Sequence, residues 1–148
     1  MSVRLAPALR RRGLATVDRR LLRRRAEQVL RELGAEDREL SVCLTGDPEI
    51  AELNEEWRDR SGPTDVLSFS LDEGEHTDHG GSLLGDVVIG LGVAERQAEG
   101  YGASLDDEVA RLLIHGVLHL LGHDHQKPAE ARRMRAEERR LWKIVRDD

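Results

Sequence analysis

The sequence contains few aromatic residues and almost no cysteine. Phe, Trp and Tyr together make up 3% of the 148 residues, so the core must consist mainly of Leu, Val, Ile and Ala. The single cysteine, Cys43, excludes a disulfide within the chain and fits a reducing compartment. No apolar run approaches the roughly eighteen residues that cross a bilayer, and the basic N-terminus lacks the apolar segment of a signal peptide. These absences predict one globular domain over residues 1–148, located in the cytoplasm without a membrane partner.

Charge is distributed unevenly along the chain, whose formal net charge is −6. Residues 1–25 contain nine arginines and a single acid, Asp18, which gives this segment a charge of +8. The remaining 14 basic and 28 acidic residues give −14. This asymmetry indicates either a basic surface that can meet phosphate groups or a solvated helix with ordinary surface arginines, and composition leaves both open.

Apolar periodicity and capping signals predict an α+β fold, in which helices pack over a small sheet of about four strands. The strands are expected at residues 3–5, 39–45, 66–71 and 84–91. Helices are expected at residues 18–33, from 47, up to 99, from 104 and at 128–145.

Individual side chains mark where these elements begin, end and face the core. The expected helix caps and turns are Asp18, Gly34, Pro48, Gly100 and the Ser104–Asp107 capping box. The helix that starts at Asp47-Pro48 should carry Ile50, Leu53 and Trp57 at spacings of three and four. Cys43 should lie on the sheet face opposite Leu40, Val42 and Leu44, where it would serve in packing.

Four of the six histidines lie between His115 and His125, in the segment HGVLHLLGHDH. His115 and His119 are four residues apart, so a helix places both imidazoles on one face, about one turn apart. Gly122 allows the helix to end in a left-handed turn, which can bring His125 back towards the first two. Three imidazoles leave a fourth position for water, as in catalytic zinc sites. The spacing therefore predicts a zinc site formed by His115, His119 and His125.

The same spacing is similar to the zinc-binding motif of the metzincin peptidases, with one important difference. The glutamate that serves those peptidases as general base would stand at position 116, where this chain has Gly116. Glycine cannot transfer a proton, and it costs a helix about 1 kcal/mol relative to alanine. Its presence disfavours a peptidase and suggests close approach by substrate or backbone.

Beyond the histidines, the chain closely resembles the YbeY family of bacterial rRNA maturation factors, described as zinc-dependent endoribonucleases. The histidine motif matches from His115 through His125, and two upstream blocks match in the same order. The first block comprises Leu53-Asn54, Trp57-Arg58 and Pro63 to Phe69, and the second comprises Leu84 to Ile89. The similarity runs from about residue 39 to the end. His123 departs from the family, which often has tyrosine there, and spacing favours His125 over His123 as the third ligand.

This resemblance implies a small mixed sheet and one Zn²⁺ ion per chain, held by His115, His119 and His125. It also implies that Arg58 lies near the metal and contacts substrate. The implied substrate is single-stranded RNA, notably small-subunit rRNA during maturation of its 3′ end and in ribosome quality control. The implied partners are ribosomal components and a ribosome-assembly GTPase.

Cleavage of RNA requires an activated nucleophile and stabilisation of the charge that develops at phosphorus. Zinc can supply both, because it lowers the pKa of a bound water towards about 7 and withdraws charge from a phosphoryl oxygen. Arg58 offers a planar fork for a phosphate, and with His115 and His119 it forms the expected catalytic set. Whether the nucleophile is water or the RNA 2′-hydroxyl is left open by these residues.

Three aspartates are candidates for orienting a ligand or serving as base. Asp124 lies between two histidines, while Asp65 and Asp86 belong to the upstream blocks. Asp65 could equally cap a turn. His76 and His79, in the acidic and glycine-rich residues 72–81, are more typical of solvated histidines than of ligands.

Two other functions are compatible with these residues. A metallopeptidase or related hydrolase would need a base elsewhere in place of the missing glutamate. A non-catalytic ribosome-assembly factor would use zinc structurally, with a fourth protein ligand such as His123 or Asp124 where a catalytic site keeps a water.

Overall fold

The computed structural model describes residues 3–6, 15–70, 83–123 and 126–147. The strands in these ranges are β1 Val3–Leu5, β2 Glu39–Thr45, β3 Val66–Ser70 and β4 Leu83–Gly90. The helices are α1 Arg19–Glu32, α2 Asp47–Arg58, α3 Leu91–Tyr101, α4 Leu105–Leu120 and α5 Pro128–Val145. The predicted α+β class is confirmed.

The strands form one mixed sheet in the order β1-β2-β4-β3. The pairs β1–β2 and β2–β4 are parallel, whereas β3 runs antiparallel to β4 and occupies an edge. The register places Ser68 opposite Val87 and Ser70 opposite Gly85. The small mixed sheet that the family resemblance implied is therefore present.

The two faces of the sheet carry cores of different size. The larger core joins one face to α1, α4 and α5, with β2 contributing Leu40, Val42 and Leu44 as predicted. The opposite face carries a small cluster of Ile50, Leu67 and Val88, against which Cys43, Leu53 and Phe69 pack. Cys43 thus serves in packing, and burial together with the charge of Asp86 raises the pKa of its thiol.

Helix α4 is the central element of the larger core, and its N-terminus is capped as expected. The Ser104 hydroxyl accepts a hydrogen bond from the Asp107 backbone N–H at 3.1 Å. The Asp107 carboxylate pairs at 3.2 Å with Arg25, a side chain of α1 that is only 5% exposed. The acid of the predicted capping box therefore also fastens α4 to α1.

Gly116 lets α4 lie directly against the sheet. A Cβ at this position would lie 2.8 Å from Val87 Cγ1 and 3.0 Å from Ser68 Oγ. The Ser68 hydroxyl instead donates a hydrogen bond to the Gly116 carbonyl at 2.9 Å. The close approach at this glycine is thus made by two side chains of the sheet, where substrate or backbone had been predicted.

One helix end was predicted wrongly. Helix α3 continues past Gly100 to Tyr101, because the left-handed residue that ends it is Gly102, with φ +68°. Trp57 lies in the last turn of α2 as the spacing predicted. Its side chain is 58% exposed, and its ring meets that of Phe69 edge to face at a centroid distance of 6.3 Å.

Arginines of α1 stabilise the fold by binding backbone carbonyls. Arg19 donates to the Ala6 carbonyl at 2.6 Å, and Arg23 donates to the Val3 carbonyl. With Arg25 paired to Asp107, three of the nine N-terminal arginines connect α1 to β1 and α4. Arg20 and Arg24 are exposed.

No helix within the described ranges is long and apolar enough to cross a membrane.

Replacing Gly116 with alanine should lower the free energy of unfolding by about 1–2 kcal/mol. The added methyl must displace the buried, β-branched Val87, at a typical cost of about 1–3 kcal/mol, and better helix propensity recovers about 1 kcal/mol at most. Urea unfolding of the purified variant measures the difference.

Gly100→Ala is the matched control for this substitution. Gly100 is also helical, and nothing lies within 4 Å of a Cβ built there. This variant should gain up to about 1 kcal/mol. A Gly116→Ala protein that gained stability as Gly100→Ala does would refute the packing explanation.

Candidate active site

Helix α4 presents His115 and His119 side by side. Their Nε2 atoms lie 3.1 Å apart, and the two rings meet edge to face with centroids 4.6 Å apart. This is the arrangement expected for residues four apart on one helical face. Both side chains line a cavity of ≈ 470 Å³ between α4, the end of α2 and strand β3.

Glu138 on α5 orients the first of these imidazoles. Its Oε2 lies 2.8 Å from His115 Nδ1, a distance at which Nδ1–H donates to the carboxylate. With the proton on Nδ1, the Nε2 lone pair of His115 faces His119. Glu138 was missed from sequence, although it follows Met134 by four residues within the apolar stripe of α5, where a carboxylate has to find a partner.

The chain turns sharply after α4, as predicted from Gly122. This glycine has φ +95°, and its N–H donates to the His119 carbonyl at 3.0 Å. The His123 N–H donates to the Leu118 carbonyl at 3.0 Å, which completes a Schellman motif. His123 lines a separate cavity of ≈ 240 Å³ with Glu130 and Arg133.

The third histidine of the predicted site, His125, lies outside the described residues, as do Asp124, His76 and His79. Among the residues that are described, no group of three or more His, Cys, Asp or Glu side chains is arranged to hold a metal ion. The described part of the chain thus supplies two of the three predicted ligands.

Arg58 reaches the same cavity from the last turn of α2. Its Nη2 donates to the Ser68 carbonyl of the edge strand β3 at 2.6 Å, and its guanidinium carbon lies 4.8 Å from the centre of the Phe69 ring. The loop that follows is held by Asn54, whose side chain donates to the Gly62 carbonyl at 3.0 Å. Arg60, Thr64 and Ser70 also line the cavity, which is mostly polar on this side.

Asp65 lies at the rim of the cavity and caps the start of β3. Its Oδ1 accepts from the Val66 N–H at 2.8 Å, and its Oδ2 accepts from Gln97 Nε2 at 3.3 Å. These contacts agree with the turn-capping alternative predicted from sequence, and Asp65 also lines the cavity with the two histidines.

Asp86 is not brought to the histidines. It precedes Val87 on β4, and Val87 faces Gly116, so the alternation of side chains directs Asp86 to the opposite face of the sheet. There it lies in register with Phe69 and is exposed.

Glu108, in the first turn of α4, is a buried acid near Asp65. It is 3% exposed, and its Oε1 has no hydrogen-bond partner among the described residues. Burial raises the pKa of its carboxyl, the positive charge of Arg111 opposes this rise, and the negative charge of Asp65 adds to it.

Comparison with known proteins identifies the family. The sequence profile described as Endoribonuclease YbeY matches residues 11–146. The chain belongs to this YbeY family. The match starts well before residue 39, where the resemblance was expected to begin.

Individual relatives agree with the family assignment. The chain is similar to the Endoribonuclease YbeY of Geobacter metallireducens, with 42% identity over 98% of this chain and 96% of that protein. The Endoribonuclease YbeY of Anaeromyxobacter dehalogenans is 49% identical over 82% of this chain, which spans 62% of that longer relative. The solution structure of a Thermotoga maritima protein superposes with a TM-score of 0.63 and 26% identity, covering 97% of this chain and 88% of that one.

In this YbeY family member, Glu108 should make stability depend on pH. Its pKa is raised on folding, so the native state binds its proton more tightly than the unfolded state, where the pKa is about 4.3. The contribution is complete below that value and is lost as pH rises through the folded pKa. Glu108→Gln should therefore gain stability relative to the wild type as pH rises from acidic to neutral, as measured by urea unfolding across pH.

Glu52→Gln controls for the loss of one acid, because Glu52 is an exposed residue within α2. The difference in the free energy of unfolding between Glu52→Gln and the wild type should not vary with pH as it does for Glu108→Gln. An equal pH dependence in both variants would contradict the assignment to Glu108.

Proposed function

We propose that this chain is a zinc-dependent endoribonuclease that cleaves single-stranded RNA, with small-subunit rRNA as its substrate during maturation of the 3′ end and in ribosome quality control. Membership of a family described as endoribonuclease supports the class of reaction. The observation that carries the proposal is the His115–His119 pair, which faces the same cavity as Arg58.

The histidine pair fits a single zinc ion. Two ligands at roughly 2.0–2.1 Å from a tetrahedral ion lie about 3.3 Å apart, and the two Nε2 atoms are 3.1 Å apart. The Glu138 carboxylate on His115 Nδ1 is the outer partner that metal-bound histidines usually have. His125 is proposed as the third ligand, with one Zn²⁺ per chain. When bound, zinc supplies Lewis-acid polarisation of a phosphoryl oxygen and a nucleophile at neutral pH.

The residues of the cavity fit a phosphate substrate. Arg58 is anchored by the Ser68 carbonyl and the Phe69 ring, so its planar cation is held in a fixed direction at the cavity wall. Arg60 adds a second positive charge on the same side. A phosphodiester held by these guanidinium groups would lie beside His115 and His119, where bond cleavage has to occur.

The competing functions are less well supported. A peptidase would need a general base. The peptidase glutamate is replaced here by Gly116, and the space that a side chain would take at this position is occupied by Val87 and Ser68. A non-catalytic assembly factor predicts binding without turnover. Ribosomal components and an assembly GTPase are proposed as partners in the cytoplasm, on the strength of the family alone.

His119→Ala should abolish both zinc binding and RNA cleavage, because the pair loses one of its two converging nitrogens. Glu138→Gln should give a graded effect, with zinc affinity about 10–100-fold weaker. Zinc competition with a chromophoric chelator and cleavage of single-stranded rRNA fragments measure the two properties.

Glu137→Gln is the matched control, since Glu137 neighbours Glu138 but pairs with Arg140 at 2.6 Å. It should keep wild-type zinc affinity. Cleavage by a metal-free His119→Ala preparation would reveal a contaminating nuclease and remove the support for this function.

Arg58→Ala should retain zinc while losing about a hundredfold or more of kcat/KM, the usual cost of removing one donor to transition-state charge. Arg96→Ala is its control, because Arg96 of α3 also contacts a neighbouring element, Asp47 of α2 at 3.2 Å, but does not line the cavity. If Arg58→Ala cleaved RNA as well as Arg96→Ala does, the phosphate-binding role of Arg58 would be excluded.

A further inference from the structure

A second cavity, of ≈ 310 Å³, lies between α4 and α5. It is lined by Arg111, Ile114, Arg135, Glu138, Arg139 and Trp142. Three of these six side chains are guanidinium groups, and the only acid among them, Glu138, already contacts His115. The walls therefore carry an excess of positive charge.

Direct ion pairs within the described part of the chain do not neutralise this positive charge. No ion pair between described residues involves Arg111, Arg135 or Arg139, although the chain has 29 acids. Their neighbour Arg140, by contrast, contacts both Glu137 and Glu32. Three cations gathered around one cavity repel each other, and an anion in the cavity would relieve this repulsion.

Trp142 holds one of the three cations in place. The guanidinium carbon of Arg111 lies 5.1 Å from the centre of the indole, within the range of a cation–π contact. Arg135 and Arg139 are one helical turn apart on α5, and all three arginines are exposed. The cavity thus combines one guanidinium that contacts an indole with two others that can meet an incoming anion.

The position of this cavity indicates which anion it receives. Glu138 forms part of its wall and reaches His115 with the same carboxylate, so the cavity begins one side chain away from the metal-binding pair. An RNA strand has a phosphate at every nucleotide, and a strand bound at Arg58 and the histidines extends beyond them.

We propose that Arg111, Arg135 and Arg139 form a second phosphate subsite, which binds the backbone of the same single-stranded RNA on the α5 side of the histidines. This subsite rests on the proposed function for its ligand, but its residues take no part in the chemical step.

The test measures RNA binding separately from cleavage. Full-length His119→Ala protein, which should not cleave, is titrated with a short fluorescein-labelled oligouridylate at several NaCl concentrations, and anisotropy gives the affinity. Adding Arg135→Gln and Arg139→Gln should weaken binding and reduce the slope of log affinity against log salt by about 0.7 for each lost phosphate contact. Arg111 is left unchanged because it also contacts Trp142 and lies near Glu108.

The control carries Arg132→Gln and Lys143→Gln, which remove the same charge from exposed positions of α5 outside the cavity. This control should keep the same slope of log affinity against log salt as the His119→Ala protein. Equal slopes in the two double variants, both folded by circular dichroism, would overturn the subsite.

Cleavage by the zinc-loaded wild type is assayed in parallel. If the wild type cleaves RNA but the Arg135→Gln and Arg139→Gln variant changes the salt slope no more than the control does, the subsite is excluded and the proposed function stands. A specific change of slope in a protein that does not cleave supports the subsite and removes the proposed function.

Discussion

Close packing of α4 against the sheet at Gly116 determines where the residues of the candidate active site lie. Without a side chain at this position, the helix meets Val87 and receives a hydrogen bond from Ser68. The same helix presents Arg111 and His115 towards α5, and His119 towards the cavity beside β3. The contact at Gly116 therefore fixes the histidine pair of α4 beside the edge strand β3.

Helix α5 connects the two parts of the proposed RNA-binding surface. Glu138 orients His115, while Arg135 and Arg139, on the neighbouring side of the helix, line the second cavity. The proposed binding of a metal at His115 would be thermodynamically linked to docking of α5, because a ligand that binds the native arrangement stabilises it. Half of the residues of α5 are exposed, and the helix is nevertheless part of the site.

Local pattern was sufficient for the elements and for the histidine pair, because both depend on residues close in sequence. The strand at 39–45, the caps at Asp18 and Ser104 and the turn at Gly122 all follow from such signals. Long-range contacts were the part that could not be predicted. Glu138 stands 23 residues from His115, and its role depends on how α5 docks. The placement of Asp86 could be predicted only by knowing which face of the sheet packs against α4. Alternation along a strand does not give that information.

The scarcity of aromatic residues gives this protein a built-in optical property. The chain has two tryptophans, one adjoining Arg58 and 58% exposed, the other half-buried beside Arg111 in the second cavity. Because a hydrated indole emits at longer wavelength than a shielded one, the two regions contribute distinguishable fluorescence. Occupancy of each end of the proposed RNA path should therefore change a different part of the same emission spectrum, without any added label.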